Sequence, residues 1–422
     1  MGRLRYTRSA LAALVVVAPL ALVGCGSNTP ARFITASPAS PSQPAEPFEL
    51  GITPAMDAKK LPASTEIGAT VRGGKITSVS LAEAGGGAVT GRWREDGSSW
   101  VPDTPLKYGK KYTASVVASS TSGETVTKTT TFSTMSRPAS QTGTGLYLHD
   151  GATYGVAMPI VVEFSPGIPA KDRAAVQKRL FVNTDPPQPG AWHWVSTGTQ
   201  AYYRAPEFWR PGTKLTVRIG VGGHPTGRGQ YGDTDRTASA EIGEKLVMQV
   251  DNATKKMSVF KDDKLVRSMP VSLGKPKTPS SSGTMVVMEK KAKTVFDTFA
   301  ELGPREGYRT DIEFAQRLTW GGEFIHSAPW SVPQQGRTNV SHGCVNLSPA
   351  NAQWLFNQTK VGDPITVKGT GIKLVPGNGW TAWNIPWDEF VKGSALPVAV
   401  QPASTSPAAT VGPTPTSQTP AE

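Results

Sequence analysis

One short segment of this 422-residue chain combines a thiol, an imidazole and a permissive backbone. Cys344 and His342 are two positions apart, with Gly343 between them. In an extended backbone both side chains point to the same face, where the imidazole can take the proton that an isolated cysteine keeps at neutral pH. Because glycine permits unusual backbone angles, consecutive amides can converge and form an oxyanion hole. The segment is therefore a candidate site for nucleophilic acyl transfer.

A second histidine, His326, ends a predicted strand at residues 323–326 and would reach the thiol through the fold. The turn-rich residues 327–340 predict a loop that lines a substrate cleft. From the residues alone two other interpretations stay open. His326, His342 and Cys344 could be zinc ligands, although their spacing matches no standard pattern, or Cys344 could be a core cysteine. Structural or surface roles are the better explanation for the remaining histidines, His149, His193 and His224.

The first 25 residues predict export with a lipid anchor. Three arginines precede an apolar stretch at 10–23, which has the length of a signal-peptide core and is short for a membrane span. Residues 22–25 resemble the lipobox of bacterial lipoproteins, which implies acylation of Cys25 and anchoring at the outer face of the cytoplasmic membrane, facing the cell wall. The alternative is an ordinary signal peptide with an incidental cysteine.

Cysteine usage strengthens the case for chemistry. The chain has two cysteines, so a lipid on Cys25 leaves Cys344 as a lone thiol and excludes a disulfide within the mature chain. A lone thiol is unusual in a compartment that oxidises thiols, unless the protein uses it.

The composition narrows the possible partners and cofactors. The net charge is +12, but the basic residues are scattered, which argues against nucleic acid and suits an anionic wall or membrane surface. With 44 glycines and 36 prolines, the chain favours turn-rich β structure. No nucleotide loop, zinc quartet or calcium loop is recognisable, so we expect no cofactor and no metal.

Repeats and low-complexity segments divide the chain. Residues 26–47 and 396–422 are rich in Ser, Pro, Ala and Thr, and predict a disordered tether and a disordered tail. Similar stretches begin at Gly109 and Gly212, each a turn followed by an alternating strand and each preceded by aromatic-rich strands. These repeats predict two β-sandwiches, whose expected bounds are 48–140 and 141–243.

A third domain is predicted at residues 244–369. Its first strands, at 246–250, 257–260 and 265–273, predict a meander. Ser348 as N-cap, with Pro349 in the first turn, predicts a helix.

Residues 370–395 carry three tryptophans between positions 380 and 387. We expect an extension that packs on the third domain; the alternative is an aromatic platform for a ligand.

The pattern of His326 followed, fifteen positions later, by the sequence SHGCVN at 341–346 resembles the signature of L,D-transpeptidases with a YkuD-type catalytic domain. The likeness extends over roughly residues 245–369. The two sandwiches and the Trp-rich extension also resemble the lipoprotein subgroup with two immunoglobulin-like domains. The implied fold is mainly β, with two immunoglobulin-like sandwiches, a β-rich catalytic domain with one or two helices, and a Trp-rich C-terminal extension.

The resemblance implies a two-step acyl transfer between peptidoglycan tetrapeptide stems. The thiol would attack the carbonyl of meso-diaminopimelate in a donor stem, expel D-Ala, and pass the acyl group to the diaminopimelate amine of an acceptor stem, giving a 3→3 cross-link. Carbapenem-type β-lactams would acylate such a thiol. Alternatives are an L,D-carboxypeptidase or endopeptidase that uses water as acceptor, or a non-catalytic wall-binding lipoprotein. The combination of Ser-x-x-Lys with a Lys-Thr-Gly element, which penicillin-binding proteins use, is not recognisable.

By position, the resemblance also assigns roles to residues. Cys344 is the nucleophile, His326 its general base or ion-pair partner, and Ser327 orients the imidazole through its carbonyl. His342 and Gly343 shape the oxyanion site together with the Cys344 amide. The residues expected to contact substrate are Tyr308 on a lid, Trp330, Ser341 and Asn346.

Overall fold

The computed structural model describes residues 47–398. The predicted signal peptide, Cys25, nearly all of the predicted tether and the tail from residue 399 lie outside the described residues. In the described part, no helix has the length and apolar character needed to cross a membrane. Seven sheets and a few short helices make up this part, which confirms the expected mainly β fold.

In the strands of the first sandwich, apolar side chains that point inward alternate with polar side chains that point outward. Its strands are β1 (Glu49–Thr53), β2 (Ala58–Leu61), β3 (Gly68–Arg72), β4 (Gly74–Glu83), β5 (Ala88–Val89), β6 (Gly91–Trp93), β7 (Trp100–Pro102), β8 (Lys111–Ser120) and β9 (Thr125–Thr134). The main sheet has the order β2-β9-β8-β4-β5, and β1-β3 and β6-β7 are two-stranded sheets. Along β8, Tyr112, Ala114, Val116 and Ala118 are buried at every second position, as expected for a half-buried strand.

The second sandwich packs a six-stranded sheet against a four-stranded one. Its elements are β10 (Gln141–Leu146), β11 (Thr153–Tyr154), β12 (Ile160–Ser165), α1 (Arg173–Gln177), β13 (Leu180–Asp185), β14 (Ala191–Trp194), β15 (Gln200–Arg204), β16 (Lys214–Ile219), β17 (Pro225–Gly227), β18 (Gln230–Gly232) and β19 (Arg236–Ile242). The sheet orders are β14-β15-β12-β10-β18-β17 and β11-β19-β16-β13. The core between them contains the buried Ile160, Val162, Trp209 and Leu215.

The two predicted repeats occupy equivalent places in the two sandwiches. Gly109 and Gly212 have positive φ angles of 67° and 79° in the turns before β8 and β16, a conformation that glycine adopts without strain. Their amides donate to the carbonyls of Met135 and Ile242, each over 2.8 Å, at the end of the last strand of each sandwich. The predicted turn and strand are therefore confirmed in both copies.

A buried charge cluster joins the two sandwiches. Glu66 accepts hydrogen bonds from Arg94 and Ser99 of the first sandwich and from Arg179 of the second. Burial by itself raises the pKa of Glu66, but these donors and the arginine charges lower it to about 2. The carboxylate therefore stays charged at neutral pH and links the two sandwiches.

The third domain, which we expect to be the catalytic domain, is built from two sheets that pack on a small set of helices. Its strands are β20 (Leu246–Asp251), β21 (Lys256–Lys261), β22 (Lys264–Pro270), β23 (Gly283–Val286), β24 (Glu289–Asp297), β25 (Arg309–Arg317), β26 (Phe324–Ser327), β27 (Val345–Leu347) and β28 (Pro364–Lys368). The sheet orders are β22-β21-β20-β28-β23 and β24-β25-β26-β27. The predicted meander is confirmed, except that its third strand ends at Pro270 and not at residue 273. Beyond Pro270 the chain leaves β21, and Ser272 pairs instead with Asn346 of β27.

Two α-helices of the catalytic domain follow β24 and β27. They are α2 (Phe299–Glu306) and α3 (Pro349–Gln358). The predicted cap of α3 is confirmed, because the Ser348 hydroxyl accepts from the Asn351 amide over 3.4 Å and Pro349 opens the helix. Ala352 and Leu355 face the core of the catalytic domain.

The C-terminal extension contacts more of the protein than we expected. It contains a 3₁₀ turn (Thr381–Asn384) and α4 (Trp387–Lys392). It packs on the catalytic domain, where Leu374 belongs to the core, and it also packs on the second sandwich, which we did not expect. Trp380 and Phe390 belong to the core of that sandwich, and the Trp383 indole donates to the Ala157 carbonyl over 2.6 Å. Val286 and Met288 of the catalytic domain complete the same core, so the extension bridges both domains.

Arg204, at the end of β15, fixes the extension to the second sandwich. Its side chain is 2% exposed, and its guanidinium donates to the carbonyls of Ala382 and Ile385 over 3.1 and 2.7 Å. The guanidinium carbon also lies 4.4–5.1 Å from the ring centres of Trp383, Trp387 and Phe390. Aromatic faces and carbonyl oxygens together replace the water that this buried charge has lost.

Replacing Arg204 with methionine should release the extension. Two charge-assisted hydrogen bonds and the ring contacts disappear, at a cost of about 3 kcal/mol. We expect faster proteolytic cleavage after residue 370 and a thermal midpoint lowered by about 5 °C or more. The exposed Arg210 on the same sandwich is the control, and its methionine variant should behave like the wild type. Equal proteolysis of both variants would contradict the role of Arg204.

Candidate active site

The parallel pairing of β26 with β27 positions the candidate catalytic residues. His326 lies opposite Asn346 in this ladder, and Cys344 immediately precedes β27. Residues opposite each other in a ladder share a face, as do positions two apart, so His326, Asn346 and Cys344 project from the same side. Phe296 of β24 packs against the apolar cluster that includes Cys344, and its ring centre lies 5.4 Å from that of His326.

Internal hydrogen bonds fix the loop that carries the thiol. The Ser341 hydroxyl donates to the Cys344 carbonyl over 2.7 Å and accepts from the Gly343 amide over 3.1 Å. The Gly343 carbonyl accepts from the Ser280 hydroxyl over 2.7 Å. Gly343 has a φ angle of 124°, which side-chain-bearing residues rarely adopt, so glycine is required to present Cys344 in this way.

The Cys344 thiol is held in its protonated form. The side chain is 8% exposed, and its sulfur donates to the Gly322 carbonyl over 3.7 Å. Burial raises the pKa of Cys344 to about 12, and the negative charge of Glu323 adds to this effect. The Phe324 amide and the Arg317 charge act in the opposite direction but do not outweigh burial.

His326 is also neutral at physiological pH. Its Nδ1 donates over 2.7 Å to the Ser327 carbonyl, the orientation that the family resemblance implies, and this leaves Nε2 as the basic nitrogen. Burial lowers the pKa of His326 to about 4, although the bond to Ser327 partly opposes it. The thiol and the imidazole therefore both rest in the neutral form, which suits His326 to the role of a general base.

Two aromatic side chains, Trp330 and Tyr308, lie against the two histidines of the site. Trp330, on a 3₁₀ turn (Pro329–Ser331), is 55% exposed, and its ring centre lies 6.0 Å from that of His326. Tyr308, at the end of the lid between β24 and β25, has its ring centre 5.5 Å from that of His342. Burial raises the pKa of Tyr308, and the Cys344 sulfur raises it further.

Two residues predicted to contact substrate are buried. The Ser341 hydroxyl makes its hydrogen bonds within the nucleophile loop, which gives Ser341 a structural role there. Asn346 is 2% exposed; its Nδ2 donates to the Ser331 hydroxyl over 3.2 Å, and its Oδ1 has no hydrogen-bond partner among the described residues. Asn346 can therefore stabilise the position of Trp330 indirectly, because Ser331 lies in the same 3₁₀ turn as Trp330.

Sequence reasoning missed several polar residues near the thiol. Lys275 contacts His342 Nε2 over 2.9 Å, and Ser281 donates twice to Glu323. Arg317 stacks over Phe324 at 4.5 Å. The serine run at 280–282 was a possible signal, but nothing local in the sequence connects it with residues forty positions later.

No group of three or more His, Cys, Asp or Glu residues within 47–398 is arranged to hold a metal ion.

The remaining histidines lie away from the candidate site. His149 and His193 lie in the second sandwich, and His193 Nδ1 bonds to the Phe390 carbonyl over 2.8 Å. His224 lies in a loop and contacts the Ser64 hydroxyl over 3.0 Å, between the two sandwiches.

Fold and site together define the class: immunoglobulin-like sandwiches carry a β-rich domain with a candidate cysteine–histidine acyl-transfer site. Two family models match the chain, a bacterial Ig domain at residues 58–225, which spans parts of both sandwiches, and the L,D-transpeptidase catalytic domain (YkuD) at 245–367. The chain is 33% identical over 401 residues to L,D-transpeptidase 2 of Mycobacterium tuberculosis CDC 1551, covering 93% of this chain and 97% of that protein.

The chain is also 32% identical over 405 residues to L,D-transpeptidase 5 of Mycobacterium tuberculosis H37Rv, covering 94% of this chain and 85% of the relative. Among solved structures, an L,D-transpeptidase in complex with imipenem matches with 33% identity and a TM-score of 0.46, over 55% of this chain and all of the other. The protein belongs to the L,D-transpeptidase family.

The resting protonation state predicts a steep pH dependence of thiol reactivity. With a Cys344 pKa of about 12, the thiolate fraction, and with it the rate of alkylation by iodoacetamide, should rise about tenfold per pH unit between pH 6 and 9. Rates followed by intact mass should show this slope, and Cys344→Ala should take up no label. A plateau that already starts at pH 6 would instead indicate a preformed thiolate–imidazolium pair.

Proposed function

We propose that the protein is a cysteine L,D-transpeptidase that forms 3→3 cross-links between the diaminopimelate residues of peptidoglycan stem peptides. Family membership supports the transpeptidase activity. The observation that supports the thiol as nucleophile is the β26–β27 ladder, whose register puts Cys344 and His326 on one face, with the Trp330 ring beside that of His326.

In the first half-reaction, Cys344 attacks the diaminopimelate carbonyl that is bonded to the terminal D-Ala. Because both groups rest neutral, proton transfer from the sulfur to His326 Nε2 accompanies the attack. The Ser327 carbonyl stabilises the imidazolium through Nδ1. The C–N bond then breaks, His326 returns the proton to the leaving amine, and D-Ala departs from a Cys344 thioester.

The oxyanion of this step needs donors beside the sulfur. The Gly343 amide already donates to Ser341, so we assign the Cys344 amide as donor, with Gly343 setting the angle of the loop and His342 forming the adjacent wall. Tyr308 can donate to the same oxygen from the lid.

In the second half-reaction, the side-chain amine of diaminopimelate on an acceptor stem attacks the thioester. The new C–N bond replaces the C–S bond, and the sulfur leaves with a proton. Water in place of the amine would give a trimmed tripeptide, so the identity of the acceptor distinguishes a transpeptidase from a carboxypeptidase or endopeptidase.

The proposal predicts that cross-linking depends on Cys344. Purified disaccharide-tetrapeptide should yield 3→3 dimers and free D-Ala with the wild type, and neither with Cys344→Ala, which retains the fold but has no nucleophile. Mass spectrometry of the products measures both. Dimer formation by Cys344→Ala would refute the mechanism, and tripeptide without dimer from the wild type would favour the hydrolase. A carbapenem is an acyl donor for the same thiol, so its adduct should form on the wild type alone.

We also propose that the mature protein is a lipoprotein on the outer face of the cytoplasmic membrane. The support is the sequence at 22–25, which resembles a lipobox, together with the scarcity of cysteines. The sandwiches then act as a stalk that places the cleft within the wall.

The lipid proposal predicts labelling at one position. Expression in a host that processes bacterial lipoproteins, with an alkyne analogue of palmitate, should label the wild type and Cys344→Ala equally. Cys25→Ala should remain unlabelled, because its acceptor thiol is absent. Fractionation should then move Cys25→Ala from the membrane to the soluble fraction. Label that persists in Cys25→Ala would place the lipid elsewhere.

A further inference from the structure

Glu323 lies against the nucleophile loop, and the mechanism above does not use it. It directly follows Gly322, whose carbonyl accepts from the thiol. A Cβ placed on Gly343 would lie 3.4 Å from Glu323 Cγ and 3.8 Å from Oε1. The carboxylate is therefore part of the wall that faces the loop with the thiol.

The hydrogen bonds of Glu323 are distributed unevenly over its two oxygens. Oε1 accepts from the Ser281 amide over 3.0 Å and from the Ser281 hydroxyl over 2.8 Å. Among the described residues, Oε2 has no hydrogen bond, Glu323 forms no ion pair, and Oε2 is not among the polar atoms sealed from solvent. Ser281 therefore orients the carboxylate and leaves one oxygen open to a ligand.

Nearby cations have other partners. Lys275 contacts His342, and Arg317 lies 3.5 Å from the Glu289 carboxylate. The neutral His326 and the phenol of Tyr308 carry no charge that could compensate Glu323. A half-buried carboxylate without a cation of its own chain is suited to receive a cation from the substrate.

In the first half-reaction the Glu323 carboxylate makes attack by the Cys344 thiol less favourable. Burial raises the pKa of Glu323, and its charge raises the pKa of Cys344, which disfavours the thiolate. Once the sulfur is a thioester, this penalty disappears. The incoming amine then arrives as an ammonium and has to lose a proton before it can attack.

We propose that Glu323 forms the acceptor site, where its Oε2 binds the ammonium group of the incoming amine and takes one of its protons. This inference rests on the proposed function and deepens it, because it names the residue that makes an amine, and not water, the preferred acceptor.

The step is balanced without a further reagent. The ammonium passes one proton to the Glu323 carboxylate, and the free amine attacks the thioester carbonyl. The C–N bond forms, the C–S bond breaks, and the second amine proton moves through His326 to the Cys344 sulfur. Glu323 afterwards loses its proton to water and is ready for the next turnover.

The test is Glu323→Gln, which keeps the shape and the acceptor oxygen for Ser281 but removes the charge. The donor is purified disaccharide-tetrapeptide, and disaccharide-tripeptide with a free diaminopimelate amine is titrated as acceptor. D-Ala release under single-turnover conditions should stay within about threefold of the wild type or become faster. The ratio of cross-linked to hydrolysed product should fall about tenfold or more, with a raised apparent KM for the acceptor.

A pH series separates this role from a structural one. In Glu323→Gln the cross-linking ratio should recover with rising pH, about tenfold per unit below the pKa of the amine, since the acceptor then loses its proton to solvent. Glu313→Gln, the same change on the exposed face of β25, is the matched control and should leave the ratio unchanged. Ser281→Ala keeps the charge of Glu323 but removes the hydroxyl that orients its carboxylate. This variant should lower the ratio of cross-linked to hydrolysed product about threefold, and it tests the inference independently if Glu323→Gln folds poorly.

The outcomes distinguish this inference from the proposed function. A wild type that releases no D-Ala and forms no acyl-enzyme would overturn the proposed function itself. Normal D-Ala release with an unchanged cross-linking ratio in both Glu323→Gln and Ser281→Ala would overturn the acceptor site alone. Faster D-Ala release with an unchanged ratio would show that Glu323 only tunes the thiol.

Discussion

The register of the parallel pairing between β26 and β27 is the constraint on which the candidate site depends. The ladder contains three residue pairs, and a slip by one residue would turn the thiol and the imidazole to opposite faces. Ile325, Val345 and Leu347 prevent this slip, because all three are buried in the core of the catalytic domain. The other elements of the site are arranged around this short ladder.

Burial on both sides of the ladder also determines the chemistry. Water is excluded from the sulfur and from the imidazole, so each group rests in its neutral form. A neutral thiol is protected in an oxidising compartment, since oxidants react with the thiolate. In the proposed mechanism, a protected thiol is thus combined with a base that takes its proton only during attack.

The sequence predicted the features that have local signals. Ser348 with Pro349 marks a helix start, and alternating apolar residues mark β8 and β20, because capping and strand pleat depend on neighbouring residues. The site pattern around His326 and Cys344 was also recognisable, although their relative placement depends on the ladder. The docking of the extension was not predictable, because Arg204 binds carbonyls about 180 positions later and carbonyls carry no side-chain signal. For the same reason the burial of Asn346 and the contact of Ser281 with Glu323 could not be anticipated.

The extension also has a consequence for how such proteins can recombine. Val286 and Met288 of the catalytic domain share one core with the second sandwich, and Trp380 and Phe390 complete that core. A gene fusion that joined the catalytic domain to a foreign sandwich near residue 243 would expose these apolar side chains, whereas a junction near residue 140 would leave the shared core whole. The second sandwich and the catalytic domain therefore have to be transferred together, whereas a foreign first sandwich would have to supply a carboxylate for the buried Arg179 in place of Glu66.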